Sequence, residues 1–297
     1  MCGCNADGPG DGGVPGSPPG GTTGGTGLCC ACPASGTVDR DGHRNYYTTT
    51  GYAGSRPKTN KCSIDIVRTA RAGTVTVSTA FHMTYINTAT AAADGSTVTS
   101  AISTAMTNWT GGASAYKLKI EQPGCDPQEL TIVFTSTTAA SASAADVQVT
   151  VDGTSTGPSS VRNGTRMTFK LAGEGSSASW NMTHETGHTF GLPDEYSELT
   201  GVPIVPAPTT PGAPTITAPT PAPTTTYIGA PPQANVTITQ QPWQPSPRTP
   251  GMYMFDNPTV MGKYGNTTYP AYLFYWIAIE VSAILAAEGS PSVVTII

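Results

Sequence analysis

Apolar and polar residues alternate along IDIVRTA from Ile64 and TVTVSTAFHMTYIN from Thr74, with β-branched and aromatic side chains recurring at every second position. That period predicts half-buried strands, with order beginning near Lys61. Shorter alternating runs, YKLKIE from Tyr116, ELTIVFTS from Glu129, DVQVTV from Asp146 and RMTFKL from Arg166, predict further strands. Between them lie the turn signals Pro123-Gly124, Asp152-Gly153 and Asn163-Gly164. The period changes at Val98, Ile102, Ala105, Met106 and Trp109, which fall on one stripe of a helix capped by Asp94 or Ser96 and ended by Gly111 and Gly112. A second helix is predicted from a cap at Ser176 or Ser177 to Gly191, with Pro193 forbidding its continuation. A third, PAYLFYWIAIEVSAILAAEG, should run as one piece from Pro270 to Gly289. The order strand, helix, several strands, helix, then a last helix predicts an α+β fold.

Two stretches lack such periodicity. Residues 1–55 are mostly Gly, Pro, Thr and Cys, a composition that cannot offset the entropy of ordering a backbone and reads as a flexible leader. Residues 203–250 form a Pro/Thr-rich block with almost no charge, read as an extended, partly polyproline II insertion at the surface of one domain spanning 56–297. Much of the chain's 34 glycines and 27 prolines sits in these two stretches.

Charge narrows the range of partners. Only 11% of the 297 residues are charged and the net charge is −5, so the basic footprint of a nucleic-acid binder is missing. Ala271 to Ala287 carries a single charge, Glu280, and suits a buried core helix better than a membrane span. The start MCGCNADGPGDGG has neither a basic n-region nor an apolar h-region, which predicts that the protein leaves the cell by a route without a classical signal peptide or stays cytoplasmic until export. Its seven cysteines, Cys2, Cys4, Cys29, Cys30, Cys32, Cys62 and Cys125, are an odd number crowded toward the N-terminus. Disulfides, an additional structural metal and loose thiols are all open readings.

The chemistry concentrates in WNMTHETGHTFGLPDEY, from Trp180 to Tyr196. At 3.6 residues per turn His184 and His188 project from one helical face, so both imidazoles can reach one metal ion, with Glu185 beside it. A sharp turn at Gly191 brings Asp194 back toward that ion as the third ligand. His43, in the leader, and His82, in a strand, are poorer candidates. A zinc hydrolase needs three protein ligands, an open position for water and a carboxylate that can take the water's proton. The set predicted is His184, His188 and Asp194 around one catalytic Zn2+, with Glu185 as general base and then proton donor to the leaving amine.

HETGHTFGLPD followed by VMGKYG resembles the metzincin zinc peptidases, whose long motif ends in His or, in snapalysin-like members, Asp. Met261 matches the family's Met-turn, a hydrophobic floor under the zinc. The resemblance covers roughly Lys61 to Glu288, interrupted by the Pro/Thr block. It implies a mixed twisted sheet with the first helix and the active-site helix in an upper subdomain, and the Met-turn and C-terminal helix in a lower one. It also implies an endopeptidase acting on a protein or peptide substrate. In astacin-like and serralysin-like members a tyrosine two residues after the methionine approaches zinc; here Tyr264 is three residues after Met261 and is the candidate oxyanion stabiliser. Glu195 is a second carboxylate beside the motif, to be read as a partner of the ligands or as a surface acid.

Other readings stay open. The Thr/Gly/Pro-rich composition also suits a non-catalytic surface or virion module, structural or adhesive, in which zinc serves stability alone. A peptidase made without a leader suits a toxin or effector carried by a specialised secretion machine, with an inhibitor or immunity protein as a further partner. A thiolate from Cys29, Cys30, Cys32 or Cys62 could restrain the enzyme by taking the open zinc position.

Overall fold

The computed structural model describes residues 34–39, 46–50, 61–69, 71–171, 177–199, 204–206, 214–216, 224–239, 244–245, 253–262 and 265–297. In chain order the elements are strands β1 (Ala34–Asp39), β2 (Tyr47–Thr50), β3 (Lys61–Arg68) and β4 (Ala72–Tyr85), then helix α1 (Ala91–Ala113). Strands β5 (Leu118–Glu121), β6 (Gln128–Thr138), β7 (Val147–Asp152), β8 (Ser160–Arg162) and β9 (Arg166–Lys170) lead to helix α2 (Ala178–Thr189). Short strands follow: β10 (Tyr196–Leu199), β11 (Ile204–Pro206), β12 (Pro214–Ile216), β13 (Thr224–Tyr227), β14 (Val236–Thr239), β15 (Gln244–Pro245) and β16 (Tyr253–Asp256). A 3-10 turn at Ala271–Phe274 then enters helix α3 (Tyr275–Ala287), and β17 (Val293–Ile296) ends the chain.

The fold is α+β, as the order of patterns predicts, and its main sheet is mixed. The sheet runs β17-β5-β6-β4-β7-β9-β8, with β3 on β4 and β1 on β3. The long strand β4 is its spine: parallel to β6 over Ala72–Phe81, parallel to β7 over Phe81–Tyr85, and antiparallel to β3. Every second residue is buried along β3, from Val75 to Phe81 of β4 and from Gln128 to Phe134 of β6, among them Ile64, Ile66, Val77, Leu130 and Ile132. α1 lays its predicted stripe, Val98, Ile102, Ala105, Met106 and Trp109, into the same core.

Trp109 ties α1 to α2. It is fully buried, packs edge-on against Phe190, Tyr269 and Phe274, and donates its indole N–H to the Thr183 carbonyl at 2.9 Å and to Thr186 Oγ1 at 3.0 Å. α1 starts earlier than expected, at Ala91 after Thr90, whose hydroxyl donates to Asp94 at 2.6 Å. Gly111 and Gly112 do not end it, because the Tyr269 ring packs directly against the Gly112 backbone and holds the last turn in place.

α3 is a core helix with Glu280 fully buried, accepting from the Tyr46 hydroxyl at 2.6 Å. It is preceded by the 3-10 turn instead of running unbroken from Pro270. Among the described residues no helix is long and apolar enough to cross a membrane.

Two boundaries move. The leader read as residues 1–55 contains β1 and β2, and Tyr46 and Tyr47 lie in the core. The Pro/Thr block read as 203–250 contains β13 and β14, which form a sheet with β2 and bury Tyr227 and Ala230. In both stretches cross-strand backbone bonds and a few aromatic anchors do the ordering, with little apolar alternation to reveal them. β17, paired antiparallel to β5, was not expected from the sequence pattern either. Of the cysteines, Cys62 is a buried free thiol in β3 and Cys125 is disulfide-bonded; the other five lie outside the described residues.

Trp109→Ala should lower the free energy of unfolding by about 3–5 kcal/mol, the range for emptying a large aromatic site, as read from urea denaturation.

Candidate metal centre

The motif forms a helix because its first turn is capped and its last turn is closed. Ser177 accepts the Trp180 N–H at 3.1 Å and caps α2. At the other end Gly191 takes φ 86°, its N–H reaches the His188 carbonyl at 3.1 Å, and Leu192 N–H reaches the Gly187 carbonyl at 3.1 Å. That pair of bonds is a Schellman closure, and it reverses the chain so that Asp194 returns to the helix face carrying the histidines.

The three predicted ligands meet. His184 Nε2 lies 3.2 Å from Asp194 Oδ1, and His188 Nε2 lies 3.0 Å from the same oxygen. Each ring has its other nitrogen fixed: His184 Nδ1 is 2.9 Å from the Val260 carbonyl and His188 Nδ1 is 2.9 Å from the Leu192 carbonyl. A carbonyl oxygen only accepts, so each Nδ1 carries a proton and each ring turns its Nε2 toward the carboxylate. Three acceptors this close repel one another unless a cation or a proton lies among them. Ligand bonds of about 2.0–2.1 Å in a tetrahedron put neighbouring donor atoms about 3.3 Å apart, close to the separations found here. His184, His188 and Asp194 therefore form a group able to hold a metal ion.

Burial alone would push the His184 imidazole pKa down, but the hydrogen bond and charge of Asp194, with Glu185 and the Val260 carbonyl, leave it above the ordinary histidine range. Both histidines are buried, whereas the Asp194 side chain is 41% exposed, so the group opens to solvent on the aspartate side. Glu185, next to His184, is 7% exposed and close enough for its charge to act on that ring.

The walls are aromatic and sulfur-bearing. Trp180 stacks on His184 with ring centroids 5.4 Å apart, and its indole N–H donates to the Asn266 carbonyl at 3.0 Å. Tyr196, two residues beyond Asp194, lies 5.9 Å from the His184 ring. Met261 is fully buried beneath the helix: a Cβ placed on Gly187 would overlap its Sδ and press on Trp109. The glycine between the two histidines thus lets the methionine approach the helix backbone. The turn carrying Met261 also holds both sides of the group, since Val260 orients His184 and the Met261 carbonyl accepts the Glu195 N–H at 2.8 Å.

Glu195 is no surface acid. It is fully buried and its carboxylate accepts from the hydroxyls of Tyr227, Thr259 and Tyr272. Burial raises its pKa, and the hydroxyl donors oppose the rise. Tyr227 was missed in the sequence because it sits in a low-complexity block; its only signal was an aromatic residue among Thr and Pro.

Tyr264 and His43 lie outside the described residues. His82 is not brought to the group and instead approaches the Ala139 carbonyl at 3.2 Å. Cys62 is not brought there either; it is enclosed in the core, where burial first and the nearby Asp146 and Glu280 second push its thiol pKa well up.

Gly187→Ala should cost about 1–3 kcal/mol through overpacking against Met261. A double-mutant cycle with Met261→Ala, read from denaturation midpoints, should return coupling of at least about 0.5 kcal/mol because the two sites touch.

Compared with known proteins, the chain matches no protein-family model, no curated protein and no solved structure.

Proposed function

We propose that this protein is a zinc-dependent endopeptidase of metzincin type, hydrolysing a protein or peptide substrate at the His184, His188 and Asp194 group. The observation that carries the reading is the convergence of three acceptor atoms at 3.0 and 3.2 Å on a partly open face, with a glutamate adjoining the first ligand. Two imidazoles and one carboxylate are the donor set of a hydrolytic zinc site, which keeps a coordination position for water. Met261 packed under the helix between the histidines gives further support, because the family resemblance assigns a methionine to that floor.

Zinc bound there would act as a Lewis acid and bring the pKa of its water toward about 7. The chain's own residues supply the remaining chemistry. Glu185 takes a proton from the attacking water and passes it to the leaving amine, forming the C–O bond and breaking the C–N bond with no co-reactant. The Val260 and Leu192 carbonyls hold the histidine rings in the tautomer that leaves Nε2 free to ligate.

The test compares proteome-derived peptides exposed to the purified chain and to two variants, with bound zinc measured in each. Glu185→Gln should keep stoichiometric zinc and lose about 10²–10⁴-fold in cleavage rate. His188→Ala should lose both zinc and cleavage. Zinc binding with no cleavage of any peptide would leave a structural metal site, and full activity in Glu185→Gln would end the mechanism.

A further inference from the structure

Glu195 adjoins the third ligand but takes no part in the ligand set. Its three hydroxyl partners come from three separated parts of the chain. Tyr227 of β13 donates to Oε1, Thr259 before the Met261 turn donates to Oε2 at 2.5 Å, and Tyr272 at the entry to α3 reaches Oε2 at 3.4 Å. The backbone of Glu195 is fixed as well, with its N–H on the Met261 carbonyl at 2.8 Å and its own carbonyl accepting from Asn257 N–H at 3.1 Å. A carboxylate costs free energy to bury, and it persists inside a fold where a set of donors compensates it. Here that set pins the residue directly attached to Asp194.

Asp194 needs such a restraint. The histidines are held by helix geometry and by carbonyls, but Asp194 follows the helix, with a side chain 41% exposed. Its backbone position is set by the closure at Gly191 before it and by the fixed backbone of Glu195 after it. Tyr227, the donor to Oε1, is itself held from two sides. β13 pairs with β14 through Tyr227↔Val236 and with β2 through Tyr227↔Tyr47. Its ring lies 4.5 Å from Tyr272 and 6.4 Å from Tyr47. Tyr47 is buried, and its phenol pKa is raised by that burial and then by the charge of Asp194, so the sheet reaches the neighbourhood of the third ligand.

We infer that the sheet β2-β13-β14 is a positioning brace for the metal centre, with Tyr227 as the residue through which it acts, holding Glu195 and thereby Asp194 in ligating position. The inference rests on the metal reading above. It gives part of the Pro/Thr-rich block, together with a strand from the N-terminal region, a role in metal affinity. Tyr227 is a positioning residue: it acts on the ion through Glu195 and Asp194.

The experiment measures the zinc dissociation constant of the full chain by competition with a chromophoric chelator, together with the thermal midpoint of each metal-free protein. Tyr227→Phe removes one donor to Glu195 and Thr259→Val removes another. The control is Asp146→Ala, which removes the acceptor of the Ala80 N–H at 2.8 Å in the main sheet, outside the Glu195 network. Tyr227→Phe and Thr259→Val should each weaken zinc binding by up to about tenfold, the lower end of the loss known for partners bonded to a ligand itself, since both act one residue removed through Glu195. Asp146→Ala should lower the thermal midpoint and leave the zinc constant within about twofold of the parent protein. Folded Tyr227→Phe protein that binds zinc as the parent does would overturn the brace while leaving the metal centre intact. So would a loss of affinity no larger than that of the control. A parent chain that binds no zinc would overturn the metal reading, and the brace with it. Should Tyr227→Phe fail to fold, Thr259→Val decides by the same criterion.

Discussion

The structure turns on two imidazole nitrogens and one carboxylate oxygen gathered where a proton or a cation must lie among them to offset their repulsion. Hydrogen bonds from His184 Nδ1 to Val260 and from His188 Nδ1 to Leu192 fix both rings, so neither can rotate its Nε2 away from Asp194. The carboxylate in turn is delivered by a helix closure that depends on the positive φ of Gly191. Such an arrangement is costly in an isolated chain, and the surrounding contacts concentrate on keeping it. Trp109 bonds to the helix from below, Met261 presses against Gly187, and Glu195 anchors the strand leaving Asp194.

The turn from Val260 to Met261 links these supports. One carbonyl orients His184 and the next receives the Glu195 N–H, while the methionine side chain fills the space under the helix. β10 leaves the Asp194 loop and pairs with β16, which leads back to this turn, so the block between them departs and returns through one antiparallel pair beside Asp194. This explains how a long Pro/Thr-rich block can interrupt the chain between Asp194 and Met261 without separating them.

The strands with strict alternation, the stripe on α1, the cap at Ser177 and the closure at Gly191 were all legible, because each is a local pattern with a local cause. So was the meeting of His184, His188 and Asp194, which follows from helical spacing and one tight turn. Less could be read where order comes from partners far away in the chain. β2 has few apolar residues and is ordered by β13; β13 lies in a block whose composition suggests no strand; β17 is short and completes the sheet only through β5. Glu195 could be read either way, since its burial depends on Tyr227, Thr259 and Tyr272, none of which lies near it in sequence. The sequence carries no local reason for a glycine at Gly187; the reason lies in Met261 packed against it.

The central claim is that these three side chains hold a metal ion through nitrogen and oxygen alone. Zinc K-edge X-ray absorption on the stoichiometrically loaded full chain tests it most directly. The account predicts a first shell of nitrogen and oxygen at about 2.0–2.1 Å with imidazole outer-shell scattering and no sulfur. A sulfur shell at about 2.3 Å, or failure to load one zinc per chain, would contradict it.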